Sequence, residues 1–346
     1  MNNLYAKLPG ALLLWYEKNK RDLPWRIDKD PYHVWLSEIM LQQTRVEAVK
    51  GYYTRFLNTL PDISSLASAD DEVLHKLWEG LGYYSRVRNL KKAAQRIMDD
   101  YNGNFPRNYE AVLSLPGIGV YTAGAICSIS FGLPTPAVDG NVLRVISRLT
   151  NDDTPVDRPA YRESVRAALA EIYPADTSGF TQALMELGAT VCGPNRKPDC
   201  DRCPCSDFCK GKLSGRAELL PVREPKRGRR EEDRTVFILS HNGQYALEKR
   251  PAKGLLAGLW QFPNVAGKLS TEEAIAEAER LGVRPQGIQK QIERKHIFTH
   301  IEWKMRGVYL DVLPENDDFT WLSADQIREE AALPTAFHQF FEEIDS

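Results

Sequence analysis

Apolar residues recur three and four positions apart over residues 34–41, 73–81, 90–97 and 142–149, the spacing that lines one face of an α-helix. Little between residues 1 and 213 alternates as a strand does. Over 214–234 the periodicity stops, and the chain reads SGRAELLPVREPKRGRREEDR. Such charge, Pro and Gly content predicts an exposed linker. Its basic residues from Arg223 to Arg230 either stay solvated or lie along phosphates. Beyond it the period becomes two, predicting strands over 235–239, 245–248, 259–262 and 301–312. Ser270 with Glu273, and Ser323 with Gln326, have capping-box spacing and predict helices at about 271–281 and 324–331. The expected fold class is therefore α+β multidomain: an all-α domain over 1–213, a linker over 214–234, and an α+β domain over 235–346.

Composition agrees with two folded domains. The chain has 346 residues, 42% of them hydrophobic, and a formal charge of −2, which is globular composition and not disorder. The uncharged stretch 111–138 is interrupted by Pro116, Gly117, Gly119, Gly124, Gly132, Pro134 and Pro136, so it predicts buried soluble structure and no membrane span. The apolar patch 12–15 is too short for a signal peptide, and an intracellular protein is expected. Net charge divides unevenly: residues 1–230 carry +5 and residues 231–346 carry −7, so the two parts should face different partners.

Three segments carry candidate chemistry. Cys192, Cys200, Cys203 and Cys209 crowd into a loop spaced C-x7-C-x2-C-x5-C. In a reducing compartment that means metal, and four thiolates suit a cubane iron–sulfur cluster or a tetrahedral zinc ion. The spacing favours the cluster, because only Cys200 and Cys203 form a close pair. Arg196 and Lys197, displayed on the same loop, could face DNA phosphate. Next, Leu115-Pro-Gly-Ile-Gly119 runs directly into a helical stretch at 120–130. Gly117 and Gly119 would let an anion approach the helix N-terminus, although a packing turn would look the same. Finally, Glu38 stands among large apolar residues in WLSEIML. Burial there would raise its pKa and make it a general acid, whereas exposure would leave it on a polar stripe with Arg45. Asp139, in AVDGN, is by itself a plausible helix N-cap.

The hairpin, the VDGNV segment after it and the four-cysteine loop after that occur in the order of the helix-hairpin-helix DNA glycosylase superfamily. Within it, LPWR at 23–26, SEIMLQQTRV at 37–46 and GLGYYSRVRNL at 80–90 resemble the MutY family of adenine DNA glycosylases, over nearly the whole chain. The resemblance implies a helix-hairpin-helix at about 112–130, a [4Fe-4S] cluster on the 192–209 loop, and a C-terminal Nudix-like domain that recognises 8-oxoguanine. Seven residues separate the first two cysteines, where the family usually has six.

The implied activity is base excision repair on double-stranded DNA, removing adenine mispaired with 8-oxoguanine or guanine. By the same resemblance, Glu38 protonates the departing base and Asp139 stabilises the positive sugar, a two-carboxylate division of labour like that of glycoside hydrolysis. Tyr121 and Asn141 support the site. Tyr121 also replaces the lysine that endonuclease III uses to form a Schiff base, which implies a monofunctional enzyme. Trp25 and Arg26 match positions near the adenine pocket. Gln43, Thr44, Leu81 and Tyr83 match segments that probe the opposite base and wedge into the duplex. Phe298, Thr299 and His300 match the recognition loop, with Thr299 where many members carry Ser. The Mg²⁺-binding glutamate arrangement of active Nudix hydrolases is missing, so Glu272, Glu273, Glu277 and Glu279 are expected to form a solvated face. A monomer in the bacterial cytoplasm, associated with the nucleoid, is the expected setting. The competing expectations are an endonuclease III-like glycosylase/lyase and a mismatch-binding protein without catalysis.

Overall fold

A computed structural model describes residues 2–194, 197–225 and 228–344. The chain divides into two compact units, residues 1–68 with 88–225, and residues 69–87 with 226–346.

The first unit is helical. Asp30 caps the Pro31–Met40 helix, with Pro at its first position, where a missing N–H costs nothing. Helices Tyr109–Ser114 and Val120–Ser130 flank the expected hairpin turn. Gly117 has φ +76°, and a Cβ there would lie 2.6 Å from Asn89 Cβ, so the turn requires glycine. Asp139 caps the Gly140–Thr150 helix, whose buried face joins Leu8, Leu12, Phe180, Leu184 and Leu187 in one core. No described helix is long and apolar enough to cross a membrane.

The second unit contains a seven-stranded sheet ordered β3-β2-β1-β6-β5, with β4 on β1 and β7 on β2. The strands are β1 (Arg230–His241), β2 (Gln244–Lys249), β3 (Trp260–Gln261), β4 (Asn264–Ala266), β5 (Val283–Ile297), β6 (Ile301–Pro314) and β7 (Thr320–Ser323). β1 and β6 are parallel, and the other pairings are antiparallel. Side chains alternate across β1: Val236 and Ile238 pack with Trp303, Phe337 and Phe340, while Phe237 and Leu239 pack with Ala274, Ala278 and Leu310. A strand covered on both faces reads as a continuous apolar run. Both expected capping boxes form, on helices Thr271–Arg280 and Ala324–Glu330. Glu272, Glu273 and Glu279 are exposed, and half-buried Glu277 pairs with Arg280.

The structure departs from the sequence expectations at three places. The helix expected over 73–81 stops at Leu77, because Gly80, Gly82 and Tyr83 all take positive φ. β5 was not foreseen: its run of Gln, Lys, Arg and Glu has low strand propensity, and antiparallel pairing with β6 supports it. Phe298, Thr299 and His300 form the tip of the hairpin between β5 and β6, which the Phe298 N–H closes by donating to the Ile301 carbonyl at 2.8 Å. The stretch expected as linker is ordered over much of its length. Ala217 and Leu220 are buried, Val156 N–H donates to the Val222 carbonyl at 3.1 Å, and β1 already begins at Arg230. Arg223 pairs with Asp157 and Arg230 with Glu232. Arg196, Lys226 and Arg227 lie outside the described residues.

Candidate active site and DNA-reading residues

A cavity of about 730 Å³ opens in the first unit between the Pro31–Met40, Val120–Ser130 and Thr177–Thr190 helices and the cap of Gly140–Thr150. Its lining brings together Trp25, Arg26, Glu38, Gln43, Thr44, Gly119, Tyr121, Asp139 and Asn141, residues spread over more than a hundred positions of sequence. Glu38 is only 7% exposed and accepts a hydrogen bond from the Tyr121 hydroxyl. Burial pushes Glu38 up to about 7, and the charge of Asp139 adds to the rise, while Tyr121 and Arg26 oppose it. Burial, with the charge of Glu38, also holds the Tyr121 phenol well above its ordinary value, so the phenol keeps its proton.

Asp139 is both a helix cap and a cavity carboxylate. It accepts from the Val142 N–H at 2.7 Å and from Asn141 Nδ2 at 2.6 Å. Burial raises its pKa, and these donors together with Arg144 oppose the rise. The polar chain continues inward. Arg144 Nη2 donates to Asn141 Oδ1 at 2.7 Å and to the Gly188 carbonyl at 2.7 Å, and its Nε donates to the Cys192 carbonyl at 2.8 Å.

Sequence reasoning missed Glu186. It is fully buried on the Thr177–Thr190 helix and lines the same cavity. Arg21 Nε at 2.6 Å and Arg26 Nη2 at 2.7 Å pair with it. Burial alone would raise its pKa, but the two guanidiniums hold it below the ordinary value. Its signal resembled that of Glu38, a lone acid inside an apolar helical run, FTQALMELG.

Cys192, Cys200, Cys203 and Cys209 all line one small cavity with Arg148 and Lys212, and Arg148 Nη1 donates to Cys192 Sγ at 3.3 Å. Cys205 is buried in the neighbouring core. Among the described residues, no three His, Cys, Asp or Glu side chains converge closely enough to hold one metal ion.

The remaining candidates stand outside the cavity. Gly117 forms the hairpin turn. Leu81 is buried, 6% exposed, and in this arrangement presents no wedge, whereas Tyr83 is 47% exposed. Tyr83 and Gln43 have φ of 48° and 59°, conformations that non-glycine residues rarely adopt and that tend to mark functional positions. Phe298 packs edge-on against Trp303, with centroids 4.9 Å apart, and anchors a tip on which Thr299 and His300 are exposed. The hydroxyls of Tyr83 and Thr299 are 2.9 Å apart, so the second unit contains both candidate reading elements.

Comparison with known proteins places this geometry in a class. Residues 36–174 match the HhH-GPD superfamily of base excision DNA repair proteins, and residues 234–343 match the NUDIX domain. The structure of a thermostable thymine-DNA glycosylase superposes with a TM-score of 0.55 at 28% identity, covering 62% of this chain and 98% of that one. An endonuclease III–DNA covalent intermediate superposes with a TM-score of 0.52 at 22% identity over the same shares, which shows the fold.

The nearer likeness is narrower. The chain is 35% identical to human adenine DNA glycosylase over 399 residues, covering 96% of this chain and 73% of the human one. It is 35% identical to the adenine DNA glycosylase of Buchnera aphidicola subsp. Acyrthosiphon pisum (strain APS) over 292 residues, 84% of this chain and 82% of that one. The chain belongs to the adenine DNA glycosylase family. It is a DNA N-glycosylase of base excision repair.

Proposed function

We propose that this protein releases adenine mispaired with 8-oxoguanine or guanine by hydrolysis, without strong lyase activity, using Glu38 as acid and Asp139 as stabiliser of the positive sugar. The observation that carries this reading is a pair of carboxylates in one cavity, one of them pushed up to about 7. A carboxyl group half-protonated near neutrality can act as an acid there. Adenine leaves the base stack and enters the cavity, at less cost from a mispair than from a matched pair. Glu38 gives its proton to adenine N7, and the C1′–N9 bond breaks with its electron pair moving to the base. The sugar becomes oxocarbenium-like, and the ionised Asp139 faces its charge. Two hydrogen bonds to Asp139, against one to Glu38, favour the ionised form of Asp139 relative to Glu38. Glu38, now a carboxylate, takes a proton from water as the oxygen adds to C1′, which restores the acid.

Tyr121 holds Glu38 through its phenol, and a phenol cannot form an imine with the opened sugar. Asn141 orients Asp139. Trp25 and Arg26 border the base, Gly117 and Gly119 open the backbone to a phosphate at the helix N-terminus, and Gln43, Thr44, Tyr83, Phe298, Thr299 and His300 engage the opposite base and the gap. Cys192, Cys200, Cys203 and Cys209 would hold a [4Fe-4S] cluster. The four thiols line one small cavity beside the cations Arg148 and Lys212, and four thiolates on one loop suit a cubane cluster. Such a cluster supplies a rigid four-way cross-link to the loop.

The test is single-turnover base release from duplexes holding A opposite 8-oxoguanine, comparing native protein with Glu38→Gln at equal DNA occupancy. Release by native protein alone is expected. Release by neither would remove the assigned reaction.

A further inference from the structure

Residues 69–87 lie in the helical half of the sequence, yet they belong to the compact unit that holds the sheet. Two carboxylates fasten this segment there. Glu72 accepts from Lys249 Nζ at 2.7 Å and from Trp260 Nε1 at 2.9 Å. Glu79 accepts from the backbone N–H of buried Leu333 at 2.8 Å and pairs with Lys76 at 2.6 Å, while Lys76 Nζ also donates to the Ala331 carbonyl at 3.3 Å. Beyond Glu79 the chain turns sharply through Gly80 and Gly82. The turn is pinned by Trp78 Nε1 to the Gly82 carbonyl at 3.1 Å, and by Arg86 Nη2 to the Leu81 and Gly82 carbonyls at 2.8 and 3.0 Å. The pinned turn ends at Tyr83, whose hydroxyl meets Thr299. Glu72 contacts β3 and the end of β2, and Glu79 contacts the loop before the Thr335–Phe341 helix. Neither lines the cavity that holds Glu38.

We propose that Glu72 and Glu79 are positioning residues that fix the register between the Tyr83 turn and the Thr299 tip, and through it set the preference for the opposite base. This rests on the reading of Tyr83 and Thr299 as opposite-base contacts. Holding two reading groups in one preorganised frame lets both engage without ordering a loop at the moment of binding. The Glu79 link is the stronger of the two, since its loss leaves the N–H of Leu333, a residue only 1% exposed, without this acceptor. Glu72, whose side chain is 39% exposed, is the variant that keeps the fold if Glu79→Ala does not.

The experiment compares single-turnover adenine release opposite 8-oxoguanine and opposite guanine for native protein, Glu72→Ala, Glu79→Ala, Glu79→Gln and Thr299→Ala, with hydrogen exchange of amides 79–84. Glu79→Ala should lower the 8-oxoguanine preference by roughly tenfold, the size of one lost buried hydrogen bond, Glu72→Ala should lower it by about two- to threefold, and both should speed exchange in the Tyr83 turn. Glu79→Gln, which keeps an acceptor for Leu333, should restore most of the preference. Thr299→Ala should lower the preference without speeding that exchange. A normal preference in Glu72→Ala and in folded Glu79→Ala, with a reduced one in Thr299→Ala, overturns the clamp and spares the reading. A normal preference in Thr299→Ala overturns the reading and the clamp with it.

Discussion

At the scale of single residues, Glu38 couples acid strength to stability. Unfolded, its carboxyl titrates near the ordinary value of about 4.3, whereas folded it holds its proton up to about 7. Between those values the folded state binds more protons, so stability is highest below the lower value and falls as pH rises through about 7. At about 1.4 kcal/mol per unit the full loss is about 4 kcal/mol. Urea unfolding should therefore find Glu38→Gln more stable than native protein at pH 8 and little changed at pH 4. The rate of base release should fall above about pH 7 as the acid form disappears, and a flat profile to pH 9 would remove Glu38 from the proton-transfer step. Tyr121 makes a second prediction at this scale: borohydride should trap little covalent enzyme–DNA adduct, since no lysine stands at its position. Efficient trapping at native rates would contradict the monofunctional reading.

Among the elements, the hairpin and the helix caps show how one local device serves packing and chemistry together. Gly117 is fixed by its turn: alanine there meets both φ +76° and a 2.6 Å approach to Asn89. Gly117→Ala should destabilise the protein by about 1–3 kcal/mol in urea unfolding. Gly119, an N-cap where an added Cβ would meet open space, should lose much less stability to alanine than Gly117 does, so only Gly117 is fixed by its own turn. Asp139 illustrates the same economy. Its capping bond to Val142 is ordinary helix chemistry, and the identical geometry points a carboxylate into the cavity.

For the whole molecule, the cysteine loop is where a cofactor would govern folding. If the [4Fe-4S] assignment holds, Cys192→Ser and Cys200→Ser should each abolish or strongly reduce the visible-region absorption of the purified protein. Loss in Cys200→Ser alone would remove Cys192 from the ligand set and make the seven-residue spacing a real departure.

Much of this protein was legible in the chain itself. The three- and four-residue periodicity marked the principal helices, the strand-like runs after residue 234 marked β1, β2 and β6, and the capping-box spacings placed two helix starts within a residue. Helix 120–130 followed directly from its glycine turn. These features are encoded by neighbours in sequence, through hydrogen bonds and side-chain faces that local spacing determines. The tertiary structure decided the rest. Whether Glu38 was an exposed stripe residue or a buried acid depended on what packed over it, and Glu186 became a site residue only because Arg21 and Arg26 arrive from far along the chain. Strand β5 is polar enough to look like loop until β6 supplies its hydrogen-bond partners. Residues 69–87 join the sheet-containing unit through contacts with segments far along the chain, and Tyr83 meets Thr299 across 216 positions. A one-dimensional pattern specifies local geometry well, but burial, long-range pairing and the electrostatics that follow from them exist only once the chain has closed on itself.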